Sequence, residues 1–316
     1  MPQHDRIDAE SLVPLAALYE ALPGGFNAIP DIVARRAALD GMLEQMMADL
    51  PPNPNVSTED VSVPGPAGDL RLRIYRPTAP AASAPGLYFM HGGGMVLGNL
   101  ETDHLTAVRL CETIGAVVVS VDYRLAPEHP YPAGVDDALA GLTWMAAHAD
   151  ELGFDPQRLA LYGGSAGGGL ALAIALRIRD EGGPAIHFVM VPYPMIDDRN
   201  ETASSREIVD VGIWDRAGNI EAWEWYLGGR EADGYAAPAR EENLTGLPAT
   251  FIDVGDQDMF MDEAVTFAQR LEAAGVPTEL HVYPGAYHGS EVFAPTAPLS
   301  EQIWAARTAA LERALH

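Results

Sequence analysis

The chain has 316 residues, 48% of them hydrophobic, with 45 acidic against 19 basic side chains and a formal net charge of −26. That much apolar sequence is enough for a large buried core, and so acidic a surface argues against nucleic acid and anionic membranes as partners. Every basic residue is an arginine, which excludes P-loop, Schiff-base and Ser-x-x-Lys chemistry, and the single cysteine, Cys111, excludes an internal disulfide and fits a reducing compartment.

Residues 1–55 read as helices. Leu12, Leu15, Ala16, Leu18 and Tyr19 recur at helical spacing, as do Ile32, Val33, Ala37, Leu39, Leu43, Met46 and Met47. The pattern ends at Pro51-Pro52-Asn53-Pro54. The methionines fit a core face better than the wall of an apolar substrate entrance. Residues 70–76 then alternate apolar and polar, which predicts a half-exposed antiparallel edge strand. Residues 86–90 and 116–122 are continuously apolar, as strands buried on both faces are, and further strands are expected over 158–162, 186–191, 249–254 and 279–283. Helix patterns separate them near 105–114, 135–152, 166–179 and 262–274, and a last helix closes the chain over 299–315. Strands alternating with helices predict an α/β fold with a mostly parallel sheet and helices on both faces. Residues 198–245 interrupt this alternation. They carry Trp214, Trp223, Trp225 and Tyr226 without a strand pattern, and are expected to be helical near 218–227. The simplest reading is a lid packed with the N-terminal helices over the carboxyl ends of the strands.

Between a strand pattern and an Ala/Leu-rich helix lies Gly163-Gly164-Ser165-Ala166-Gly167. This is the Gly-x-Ser-x-Gly elbow, which projects a serine hydroxyl at the start of a helix whose free N–H groups favour negative charge. A serine nucleophile also needs a base, an orienting acid and an oxyanion hole. His91-Gly92-Gly93-Gly94 follows the strand over 86–90, and its glycines let backbone N–H groups approach an oxyanion. The expected donors are Gly92, Gly93 and Ala166, with the His91 side chain bracing the loop. Of nine histidines, only His288 lies in the loop at the carboxyl end of the last strand, which suits the chain order Ser, then Asp or Glu, then His. The acid belongs between Ser165 and His288 at a strand end. Asp253 is still inside its strand and Asp262 is placed to start or cap the next helix, which leaves Asp256 and Asp258.

Several motifs in order make the chain resemble the hormone-sensitive-lipase-like (bacterial family IV) esterases of the α/β-hydrolase superfamily. They are His91-Gly92-Gly93-Gly94, the stretch from Asp122 to Pro132, the elbow, Leu247-Pro248-Ala249, Asp258 with Asp262-Glu263, and His288-Gly289. The resemblance covers nearly the whole chain. It implies an α/β-hydrolase fold with a central sheet of about eight strands. A helical cap from residues 1–55 and 198–245 would lie over a core of 56–197 and 246–316. It places the catalytic acid at Asp258, giving a Ser165, His288, Asp258 triad, and assigns the 122–132 stretch a supporting role. It further implies a carboxylic ester hydrolase acting on short- to medium-chain acyl or aryl esters through an acyl-enzyme, without cofactor or metal. An amide or lactone substrate, or a non-catalytic receptor, is the alternative. Members often dimerise, so a homodimer is compatible, although no residue pattern requires one. Without a leader peptide or an apolar run of about 18 residues, a cytoplasmic protein is expected. Two departures from the family pattern stand out. Gly164 occupies a position where many relatives have Asp, and Ser290 one where many have an aromatic residue.

Overall fold

A computed structural model describes residues 4–48, 50–80, 83–209 and 213–316. Parts of the two expected cap segments, residues 1–3, 49 and 210–212, lie outside the described residues. Eight strands form one sheet: β1 (Val56–Gly65), β2 (Gly68–Pro77), β3 (Ala84–Met90), β4 (Val117–Val121), β5 (Phe154–Gly163), β6 (Phe188–Pro192), β7 (Ala249–Gly255) and β8 (Thr278–Tyr283). Their order is β1-β2-β4-β3-β5-β6-β7-β8, antiparallel at β1–β2 and β2–β4 and parallel elsewhere. The helices are α1 (Ala9–Ala21), α2 (Ile32–Met47), α3 (His104–Ile114), α4 (Ala133–Ala147), α5 (Ala149–Leu152), α6 (Ala166–Glu181), α7 (Ala203–Glu207), α8 (Arg216–Leu227), α9 (Met261–Ala273), α10 (Ser290–Phe293) and α11 (Pro298–Leu315).

Side chains alternate across a strand, so each central strand feeds two cores. Leu87 and Phe89 of β3, Val118 of β4 and Ala160 and Tyr162 of β5 pack with Leu110 and Cys111 of α3 and Trp304 and Leu311 of α11. Their neighbours Tyr88, Met90, Val119 and Leu161 face the other way, onto α4, α6 and α9. Every residue of β3, β4 and β6 is therefore buried, which is why these segments read as unbroken apolar runs. Helix α6 is buried along its entire first eleven residues, the usual state of a helix that is apolar all round.

Two boundaries differ from expectation. The edge strand is β1, and the 70–76 stretch expected at the edge is β2, one strand further in. Only Val56 and Val63 of β1 are buried, too few apolar positions to announce a strand. The single helix expected over 135–152 is divided at His148, whose N–H closes back onto Trp144 and Met145.

Helix α2 reaches α8, whereas α1 packs against α10 and the loop after β8. Asp8 and Asp31 cap α1 and α2, accepting N–H bonds from Ser11 and Ala34. Arg35, almost fully buried, reaches Glu221 of α8 at 2.8 Å, and Arg36 donates to the carbonyls of Val96 and Ala126 and to Glu128. Among the described residues, no helix is long and apolar enough to cross a membrane.

Candidate active site

Strand β5 delivers Ser165 to the N-terminus of α6 through a turn that only small residues can make. A Cβ on Gly167 would stand 2.0 Å from the Met90 carbonyl oxygen. Ser165 itself has φ of 56°, a left-handed backbone that non-glycine residues rarely adopt, and its N–H donates to the Pro192 carbonyl at 3.0 Å. Met95 and Tyr193, both near the same turn, also have positive φ, 64° and 34°.

The loop after β8 places His288 beside Ser165, and the loop after β7 places Asp258 beside His288. Ser165 Oγ lies 3.0 Å from His288 Nε2, and His288 Nδ1 lies 2.8 Å from Asp258 Oδ2. An ionised carboxylate can only accept, so Nδ1 carries the proton and Nε2 is left to accept from the serine hydroxyl. Asp258 Oδ1 takes the Phe260 N–H at 3.0 Å, and the three side chains are 8%, 5% and 1% exposed in the order Ser165, His288, Asp258. The ring of His288 is held edge-on between Tyr193 and Phe260, with centroids 4.7 and 5.2 Å away.

The other acids of the segment have separate tasks. Asp256 accepts from Gly285 N–H and from the Gln257 amide, away from His288. Asp253 is buried against Arg307. Asp262 sits inside the first turn of α9, and it accepts the Ser204 N–H of α7 instead of capping its own helix. Glu263 accepts from Ile196 and Asp197 N–H groups, and burial pushes its carboxyl well above the usual range.

The glycine loop needs one correction. Gly92 N–H, expected to face an oxyanion, donates to Asp103 Oδ2 at 2.9 Å. Asp103 stands at the N-cap position of α3 without capping it, because its carboxylate turns toward this loop. The N–H groups of Gly93, Gly94 and Ala166 have no protein acceptor among the described residues. His91 stacks on Tyr123 at 4.2 Å and its Nδ1 lies 2.7 Å from the Gly92 carbonyl, while burial lowers its pKa to about 4 and keeps it neutral. Tyr123 Oη donates to the His91 carbonyl, so the 122–132 stretch braces the loop.

Above these residues opens an apolar pocket lined by Phe26 and by Leu39, Met42, Leu43 and Met46 of α2. Leu97, Ile213, Trp214, Val292 and Phe293 complete its wall, together with Ser165, His288, Tyr193, Thr102 and Asp103. Met42 and Met46 thus wall the entrance, where a core role was expected. Trp214 covers Gly94 and donates to Asn219, while Trp223 and Tyr226 pack into the main core. Sequence reasoning missed Asp103 and Tyr193. The only advance signal was an Asp just before a helix, which is ordinarily a cap. Among the described residues, no group of three His, Cys, Asp or Glu side chains stands where it could hold a metal.

Residues 87–292 match a family model described as alpha/beta hydrolase fold. The chain is 39% identical to esterase LipI of Mycobacterium tuberculosis, over 90% of this chain and 93% of that protein. It is 36% identical to carboxylesterase NlhH of the same species, covering 96% and 95%. Among solved structures, a bacterial heroin esterase superposes with a TM-score of 0.92 at 38% identity, covering 99% of both chains.

Proposed function

The chain belongs to the alpha/beta hydrolase fold family, and from that premise we propose that it is a carboxylic ester hydrolase acting through Ser165, His288 and Asp258. The observation that carries the reading is the unbroken chain Asp258–His288–Ser165 at the floor of an apolar pocket. His288 Nε2 takes the proton of Ser165 as its Oγ attacks the ester carbonyl, and Asp258 stabilises the imidazolium that forms. The N–H groups of Gly93, Gly94 and Ala166 receive the oxyanion, with Gly94 in place of the expected Gly92. His288 then protonates the departing alcohol, and water repeats the sequence on the acyl-enzyme. The α2 and Trp214 walls of the pocket support residues 1–55 and 198–245 acting as a cap, and suit short to medium acyl or aryl groups.

The test is hydrolysis of p-nitrophenyl esters of increasing chain length, with Ser165→Ala as control. Turnover is expected to peak at short chains and to fall by about 10⁶ in the variant, the usual loss for a nucleophile of this type. An intact protein inactive on every chain length, or a Ser165→Ala variant that keeps its rate, overturns the reading.

A further inference from the structure

Among the described residues, Asp103 is the one carboxylate lining a pocket whose other walls are almost wholly apolar. Its Oδ2 accepts the Gly92 N–H, and among the described residues no other hydrogen bond and no cation reaches the side chain. The position beside Gly92 that a methyl group would fill lies 3.6 Å from Ser165 Cβ and 3.9 Å from Asp103 Oδ2. The carboxylate therefore borders the space in which an ester bound to Ser165 would sit. Burial, aided by the nearby charge of Glu291, pushes its pKa up to about 6, so it is ionised at pH 8 and poorly compensated there.

Holding Gly92 does not call for a charge, since a neutral amide oxygen would accept the same N–H bond. A carboxylate in this position also works against the reaction of a neutral ester, because the tetrahedral intermediate places a second negative charge nearby. A half-buried carboxylate facing an apolar pocket is stabilised by a cationic partner, and none of the described residues supplies one. A cationic group on the substrate would supply that partner.

We propose that Asp103 is a specificity-determining residue that selects esters carrying an organic cation close to the ester group and disfavours acidic ones. The proposal rests on the esterase reading and deepens it by naming a substrate class. A cation in the pocket would both satisfy the carboxylate and offset its repulsion of the oxyanion.

The experiment compares butyrylcholine, which is permanently cationic, with its uncharged isostere 3,3-dimethylbutyl butyrate. Wild type and Asp103→Asn are assayed at pH 8 in 0.5 M NaCl. That salt screens the general field of a protein of net charge −26 far more than a contact inside the pocket. Asparagine keeps an acceptor for Gly92 N–H, and changes common to both substrates cancel in the ratio of their kcat/KM values. The cationic-to-neutral ratio is expected to fall about tenfold in the variant, the scale of one hydrogen-bonded or closely paired charge. A ratio unchanged within about twofold overturns the proposal while leaving the esterase reading intact; wild type inactive on both esters and on p-nitrophenyl esters overturns both. If the variant does not fold, product inhibition of the wild type decides. Choline is then expected to compete with p-nitrophenyl butyrate about tenfold more tightly than 3,3-dimethylbutanol, and equal inhibition overturns the proposal.

Discussion

Replacing Arg307 by Met should cost this protein several degrees of thermal stability, and the loss should shrink in acid. Arg307 is 1% exposed and lies between two buried carboxylates, gripping Asp253 through two bonds of 2.7 and 2.9 Å and Glu291 through one of 2.7 Å. Methionine keeps most of the apolar stem and removes the charge, stranding both acids. Breaking a buried pair in this way costs about 3–5 kcal/mol. With an unfolding entropy of about 2.1 cal/mol/K per residue, a chain of 316 residues loses about 5–8 °C in Tm for that amount. The pH dependence follows from the two carboxyls. Burial raises the pKa of Asp253 even beside Arg307, whereas on Glu291 burial is outweighed by Arg307 and by the Tyr193 hydroxyl, and its pKa is lowered. Glu291 in the wild type therefore contributes stability that is present above its unfolded pKa and lost as pH falls through its folded one. Without the guanidinium both acids have raised folded pKa values, so the variant gains stability relative to wild type as pH falls and they take up protons. Calorimetric scans at pH 8 and pH 5 should show a Tm gap that narrows in acid. Adding Asp253→Asn and Glu291→Gln should restore at least half of it, because a neutral set leaves no uncompensated charge. A gap under about 2 °C at pH 8, or one that widens toward pH 5, would refute the assignment of Arg307 as the counter-ion on which both carboxylates depend.

Asp258→Asn should leave the fold intact and lower kcat on p-nitrophenyl butyrate by about 10⁴, because asparagine can donate to Nδ1 and favour the wrong histidine tautomer; unchanged circular dichroism with kcat within tenfold of wild type would remove Asp258 from the triad. Gly94→Ala places a Cβ 2.3 Å from Trp214 Cη2 at a φ of 63°, so Trp214 has to leave its bond with Asn219. Stability should fall by about 1–3 kcal/mol and KM should rise, as read by thermal unfolding and initial rates; a variant with wild-type Tm and KM would show that Trp214 is not fixed over this glycine.

The parts of the fold that could be read in advance are those where one physical demand dominates. Strands β3 and β4 are buried on both faces, and their apolar runs say so directly. Ser165 sits in glycines because the turn admits nothing larger, and His288 was singled out by its place in the loop at the carboxyl end of the last strand. What stayed hidden depends on contacts between distant segments. Strand β1 buries only two apolar side chains and derives its place from pairing with β2 along ten residues. Met42 and Met46 have the spacing of core residues, and only the route of α2 turns them toward the pocket. The bond from Gly92 to Asp103 joins a loop to a helix start eleven residues on, at a position where aspartate usually serves its own helix. Arg307 looked like any arginine on a C-terminal helix, and its partners lie on β7 and α10.

Ser165, Met95 and Tyr193 hold the backbone in a region that costs side-chain-bearing residues about 1–3 kcal/mol each. Among the described residues only Asn200 shares that conformation without being glycine. Heat selection and chemical selection therefore pull in opposite directions on this sequence. A library screened for thermal tolerance alone would be rewarded for glycine at position 165, where relief of the strained turn and loss of the hydroxyl come in a single change. Any campaign to harden this protein has to score turnover in every round, or its best survivors will be those that have given up the nucleophile.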